Sequence, residues 1–126
     1  MTTIKCVVLN WDQINKGVNK LINDLKNTKR IFFGVYGPPR GGLIPAVMIS
    51  HALGIPLLMA PAKKCIVVDD ICDSGKTMDT YGRYDNKEVT KVCLFVKKES
   101  KDKVDFYFEE TDKWIVFPWE QNEGHN

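Results

Sequence analysis

Asp69, Asp70 and Asp73 stand close together, directly behind the apolar run Cys65-Ile66-Val67-Val68 and directly ahead of Ser74-Gly75-Lys76-Thr77. Carboxylates at such a rim can accept from ribose hydroxyls or hold a hard cation such as Mg²⁺, which prefers oxygen ligands and keeps some of its waters. The small and hydroxylated residues that follow suit a phosphate. Gly75 lets backbone approach an anion closely, and a helix opening there presents free N–H groups. The stretch therefore predicts a strand, an acidic edge and a cradle for a sugar phosphate. Neighbouring carboxylates repel unless a cation or donors come between them, so Asp69 and Asp70 cost stability without a ligand. The plainer reading is a solvated turn with a helix cap. A Walker loop is excluded, because the glycine needed five residues before Gly75 is replaced by Asp70.

Two further groups of residues gain meaning beside this one. Pro39-Arg40-Gly41-Gly42 breaks the chain tightly around a cation. Its glycines allow N–H groups to face an anion, and the Arg40 fork suits a diphosphate, although a plain turn explains the segment taken alone. Lys97 follows another apolar run, and Trp114 stands near the chain end. Separately they read as a solvated lysine and a packing indole. Together they form a minimal reader of a 6-oxopurine: the ring stacks on Trp114 while the ammonium donates to O6. Adenine carries a donor at that position and is disfavoured by the same lysine.

The elements that must position these groups follow from periodicity. Residues 5–9 read as a strand. Asn10 then caps a helix in which Trp11, Ile14, Val18, Leu21, Ile22 and Leu25 recur on one face, to about Lys26. Ile31 to Tyr36 reads as a strand, and Leu43 to Leu53 as a helix stopped by Gly54. Ile55–Met59, Lys64–Val68, Val89–Val96 and Val104–Phe108 read as strands, with a short helix over Gly75–Tyr81 and an extended piece over Trp114–Phe117. Strands alternating with helices predict an α/β domain with a mainly parallel sheet flanked by helices. Such sheets bind ligands beyond the carboxyl ends of their strands, where the three groups would meet.

Composition narrows the class. At 126 residues and 44% hydrophobic the chain fits one domain, 1–126, with a frayed tail from about residue 120. A net charge of +2 does not argue for nucleic acid or an anionic membrane. No apolar stretch nears the roughly 20 residues that span a bilayer, and the start lacks the character of a signal peptide. Cys6, Cys65, Cys72 and Cys93 lack zinc-type spacing and read as thiols of a reducing cytoplasm.

The run Val67-Val68-Asp69-Asp70-Ile71-Cys72-Asp73-Ser74-Gly75-Lys76-Thr77 resembles the PRPP-binding motif of type I phosphoribosyltransferases. The likeness narrows to the bacterial xanthine-guanine branch of that family. Arg40-Gly41-Gly42-Leu43-Ile44-Pro45 resembles its diphosphate loop, Lys97 after Phe95-Val96 its purine lysine, and Trp114-Ile115 with Pro118-Trp119-Glu120 its closing segment. The likeness runs from about residue 5 to 120. It implies a transferase moving the phosphoribosyl group of PRPP to guanine, xanthine or hypoxanthine, with Mg²⁺ held by Asp69 and Asp70. In that reading Asp73 faces N7 as general base or proton shuttle, and Ser74, Gly75, Lys76 and Thr77 wrap the 5′-phosphate. Pro39, Arg40, Gly41 and Gly42 hold the diphosphate, with a cis bond expected at Pro39–Arg40. Lys97, Trp114 and the Ile115 carbonyl take the base. A homodimer or homotetramer is implied as well.

One departure matters. The family carries a long mobile loop before the acidic strand, and here only Ala60-Pro61-Ala62-Lys63 separates Met59 from Lys64. The segment after Glu120 is also shorter than the family's. Four residues cannot form a lid that excludes water. The expectation is a fold with a reduced hood and slower transfer, more PRPP hydrolysis, or cover from a neighbouring subunit. The alternative is a lid-less protein that senses or sequesters PRPP or a purine nucleotide.

Overall fold

Asn10 begins the first helix as its sequence demands. Its side chain accepts from the Gln13 N–H at 2.9 Å, while Gln13 Oε1 accepts from the Asn10 N–H at 2.8 Å, a reciprocal cap that satisfies two end donors. In the computed structural model, which describes residues 5–82 and 88–120, strand β1 (Cys6–Val8) leads into this helix, α1 (Trp11–Asn27). Strand β2 (Gly34–Tyr36) is followed by α2 (Leu43–Leu53), which stops at Gly54 in the left-handed conformation, φ 65°. Then come β3 (Leu57–Leu58), β4 (Cys65–Cys72), α3 (Lys76–Gly82), β5 (Thr90–Val96), β6 (Phe106–Glu110) and β7 (Trp114–Val116). Two 3-10 segments, Lys98–Lys103 and Pro118–Glu120, follow β5 and β7.

Strands β3-β2-β4-β5-β6 form one sheet in that order, and every described pair in it is parallel. Strands β1 and β7 pair in a separate parallel ribbon. Strand β4 is apolar on both faces, as a central parallel strand must be. Ile66 and Val68 join Val18, Leu21, Leu25, Ile49, Val92 and Leu94 in the larger core, beneath α1 and α2. Cys65 and Val67 join Cys72, Met78, Cys93 and Val96 on the α3 side. Each such aliphatic side chain contributes about 1.5–3 kcal/mol when fully buried. The sheet is thus anchored beneath its carboxyl edge, where the chemistry lies.

Several boundaries differ from expectation. Strand β4 does not stop at Val68: it runs on through both carboxylates, pairing Asp69 with Cys93, Ile71 with Phe95 and Cys72 with Val96. Sheet hydrogen bonding overrides the local polarity that suggested an end. Strands β2 and β3 are shorter than read, and β6 begins at Phe106, just after Asp105, whose carboxylate accepts from the Lys91 N–H at 2.8 Å. The 3-10 segment at 98–103 was not anticipated, since its polar residues carry no apolar period. Of the expected frayed tail, Glu120 is fixed, its Oε1 accepting from the Phe117 N–H at 2.9 Å. Residues 121–126 lie outside the described residues. Cys65, Cys72 and Cys93 are buried free thiols, whereas Cys6 is exposed.

Candidate active site

The end of β4 brings the two carboxylates to the rim half-buried. Asp69 Oδ1 accepts from the Asp70 N–H at 2.9 Å, and Asp70 Oδ1 accepts from the Ile71 N–H at 2.7 Å. Burial first, then the charge of Asp70 and a side-chain hydrogen bond with it, push Asp69 up to about 8. A carboxyl raised in this way is one that an added cation would readily ionise.

This has a consequence for stability without ligand. Asp69 titrates at about 8 in the fold against 3.8 in the open chain, so between those values the folded state binds more protons. Stability should be greatest below pH 3.8 as far as this group is concerned, and fall as pH rises toward 8. Asp69→Asn should therefore melt several degrees above wild type near pH 9 without Mg²⁺, the gap closing near pH 4. Thermal unfolding across pH checks this, and a gap independent of pH would show that Asp69 carries no such proton.

The turn after β2 reaches the same carboxylates. Its Pro39–Arg40 peptide is cis. The Gly42 N–H donates to the Pro38 carbonyl at 3.0 Å, folding the loop into the start of α2. Gly41 lies so near β4 that a Cβ added there would collide with the Asp70 carboxylate. Arg40, Gly41, Asp70, Trp119 and Glu120 share a cleft of about 480 Å³. Gly42 is packed against the Val68 and Pro38 carbonyls, behind this cleft. Pro39 is exposed and does not line it.

Beyond β4 the chain turns through Asp73, Ser74 and Gly75 into α3. Gly75 has φ 83°, a conformation that costs a side-chain-bearing residue but not glycine. Ser74 Oγ accepts from the Lys76 N–H at 3.3 Å. Asp69, Asp73, Ser74, Gly75, Lys76 and Thr77 line a hollow of about 90 Å³ here, a size suited to a small anion.

On the other side of Asp73 opens a cleft of about 720 Å³, whose lining includes Asp73, Lys97, Ile115, Phe95 and Glu109. Lys97 Nζ donates to the Lys113 carbonyl at 3.0 Å, which ties the ammonium to the chain next to Trp114. The indole itself faces away from Ile115 across β7, is 63% exposed, and does not line this cleft. Asp73, Lys97 and Ile115 are thus brought together, while Trp114 borders the group from the outer face of the ribbon. Sequence reasoning gave no role to Trp119, which stacks on Phe117 at 4.9 Å and flanks the Arg40 cleft. The motif Pro118-Trp119-Glu120 was its only signal. Between β3 and β4 no lid intervenes, and Met59 at the start of that short connection is 88% exposed.

With this geometry in hand, the likenesses to known proteins take on meaning. Residues 58–122 match the family model described as phosphoribosyl transferase domain. A xanthine-guanine phosphoribosyltransferase of Chromohalobacter salexigens is 30% identical, covering 89% of this chain and 82% of that protein. One from Gluconobacter oxydans is 27% identical, covering 94% of this chain and 86% of that protein. Its alignment spans 146 positions against 126 residues here, so that relative holds residues this chain lacks. The crystal structure of a purine phosphoribosyltransferase from Pyrococcus horikoshii superposes with a TM-score of 0.79 at 35% identity, covering 93% of this chain and 95% of that one.

Proposed function

The chain belongs to the phosphoribosyl transferase family, and from that premise we propose that it transfers the 5-phosphoribosyl group of PRPP to N9 of a 6-oxopurine, releasing diphosphate. It is a purine phosphoribosyltransferase, a glycosyltransferase of the xanthine-guanine type. The observation that carries the site reading is the meeting of separate segments around β4: Gly41 against Asp70 on one side, and Asp73 with Lys97 and Ile115 on the other. A binding-only protein had the short β3–β4 connection as its motive, and the named relatives favour the transferase.

In this reading the bond from C1 of the ribose to diphosphate breaks as the bond to N9 forms, and positive character develops on the sugar. Arg40 and the amides of its loop stabilise the departing charge, while Asp69 and Asp70 orient the ribose hydroxyls. The hollow at 73–77 holds the 5′-phosphate and so fixes the sugar's position. Lys97 keeps ammonium donors beyond the one given to the Lys113 carbonyl, and these are available for O6. Asp73, on the wall of the same cleft, takes the N7 proton as N9 becomes bonded. The Ile115 carbonyl offers a partner for a 2-amino group, whereas the Trp114 indole, on the outer face of the ribbon, lies outside this cleft and takes no stacking role in it.

The donor set fits Mg²⁺. Asp69 and Asp70 concentrate carboxylate oxygens, and the elevated Asp69 marks a place where a cation relieves repulsion. Among the described residues no group of three or more His, Cys, Asp or Glu side chains forms a metal cage, so ribose, diphosphate and water would complete the shell. When bound, the ion neutralises charge on the diphosphate leaving group.

Incubation with PRPP, Mg²⁺ and guanine, hypoxanthine or xanthine should yield the corresponding 5′-monophosphate. No nucleotide from any base at high enzyme concentration would refute the proposal. We further propose a homodimer or homotetramer acting in the cytoplasm, the assembly supported by exposed Leu57 and Met59 at edge strand β3. Sedimentation at the monomer mass would overturn the oligomer. No helix among the described residues is long and apolar enough to cross a membrane.

A further inference from the structure

The segment that follows Lys97 is polar and short, yet it makes the most specific contacts near the phosphate turn. The Lys97 N–H donates to the Cys72 carbonyl at 3.0 Å, extending the β4–β5 ladder by one step. The Ser100 N–H donates back to the Lys97 carbonyl at 2.9 Å, which curls the chain into its 3-10 turn. That curl sends the Ser100 hydroxyl inward, where it donates to the Asp73 carbonyl at 2.6 Å. Ser100 is 1% exposed, one of only two buried polar residues among those described, the other being Thr90. At the end of the same segment the Lys103 stem lies over Gly75, where an added Cβ would come within 2.8 Å of its Cγ. The Lys103 ammonium pairs with Asp79 in α3 at 3.2 Å.

Consecutive carbonyls, those of Cys72 and Asp73, are therefore gripped by one short piece of chain that begins with the base-reading lysine. Among the described residues the Asp73 carboxylate makes no hydrogen bond or ion pair of its own. The carboxylate is therefore placed only through its backbone, and the backbone just past the end of β4 is held by Ser100. Removing the buried Ser100 hydroxyl takes from the Asp73 carbonyl the side-chain partner that fixes it.

We infer that Ser100 is a positioning residue that aims Asp73 at the purine by holding the Asp73 carbonyl, coupling the Lys97 segment to the phosphate turn. This rests on the reading of Asp73 as the group that takes the N7 proton. Ser100 touches neither substrate; it acts through Asp73 alone. Small misplacements of a reacting group lower rates steeply, by up to about a hundredfold for a shift near 1 Å.

The test uses steady-state kinetics with PRPP, Mg²⁺ and guanine, beside GMP binding by calorimetry. Ser100→Ala should lower kcat about tenfold or more with KM for PRPP and GMP affinity within about twofold of wild type. Ser100→Cys, nearly isosteric and a weak donor, should fall between the two. Because Ser100 works through Asp73, adding Ser100→Ala to Asp73→Asn should lower kcat no further. An unchanged kcat in Ser100→Ala while Asp73→Asn is impaired would overturn the inference alone. Additive losses in the double variant, or parallel losses of kcat and GMP binding in Ser100→Ala, would overturn it as well, by showing a general role in holding the fold. An unimpaired Asp73→Asn would instead overturn the general-base reading and the inference with it.

Discussion

Asp73→Asn is expected to lower kcat by about 10²–10⁴-fold, the usual contribution of a positioned general base. GMP affinity should stay within about threefold. The substitution keeps the size and the backbone of residue 73, so the carbonyl that meets Ser100 and the turn into α3 are retained. Only the capacity to accept a proton is lost. Asp73 lines the cleft that also holds Lys97 and Ile115 and borders the hollow at 73–77, the position proposed here for a base beside the ribose. GMP carries no N7 proton, so its binding does not need the carboxylate. Comparing turnover with nucleotide binding therefore separates proton transfer from recognition, and wild-type turnover in Asp73→Asn would remove this residue from the chemistry.

Gly41→Ala should raise KM for PRPP and lower kcat/KM by about a hundredfold, the scale of a misplacement near 1 Å in a positioned site. The added methyl carbon would overlap the Asp70 carboxylate, and neither partner can yield without loss. Rotating Asp70 breaks its hydrogen bond from the Ile71 N–H, while moving the loop displaces Arg40 from the proposed diphosphate position. Gly54→Ala is the matching control. Gly54 has φ 65° with nothing near its missing Cβ, so alanine there strains the α2 end and costs roughly 1 kcal/mol without touching the site. Gly54→Ala should lose melting temperature and keep KM. If Gly41→Ala kept the wild-type KM, the loop would not meet Asp70 in the working enzyme.

Much of this molecule is legible in its residues because the relevant forces are local. The Asn10 cap with Gln13, the apolar face from Ile14 to Leu25, and the stop of α2 at Gly54 follow from short-range hydrogen bonding and a helical period. The parallel sheet follows from uninterrupted apolar runs such as Cys65–Val68, which need cover on both faces. The cis bond at Pro39–Arg40 and the missing lid were likewise readable, the first from resemblance and the second from a simple count of residues.

Tertiary structure alone decided the rest. Strand β4 continues through Asp69 and Asp70 because β5 offers it a ladder as far as Val96, and a neighbouring strand leaves no mark on the residues it pairs with. That extension half-buries the acid pair and gives Asp69 its elevated pKa, a collective effect of desolvation and one nearby charge. Trp114 and Ile115 differ in fate by a single step along β7, and only pairing with β1 settles which of them faces the cleft. Ser100 stands 27 positions from the carbonyl it holds, beyond the reach of any local pattern. Residue types fixed which chemistry was possible; long-range pairing and burial fixed where each group stands and which of them carries a proton.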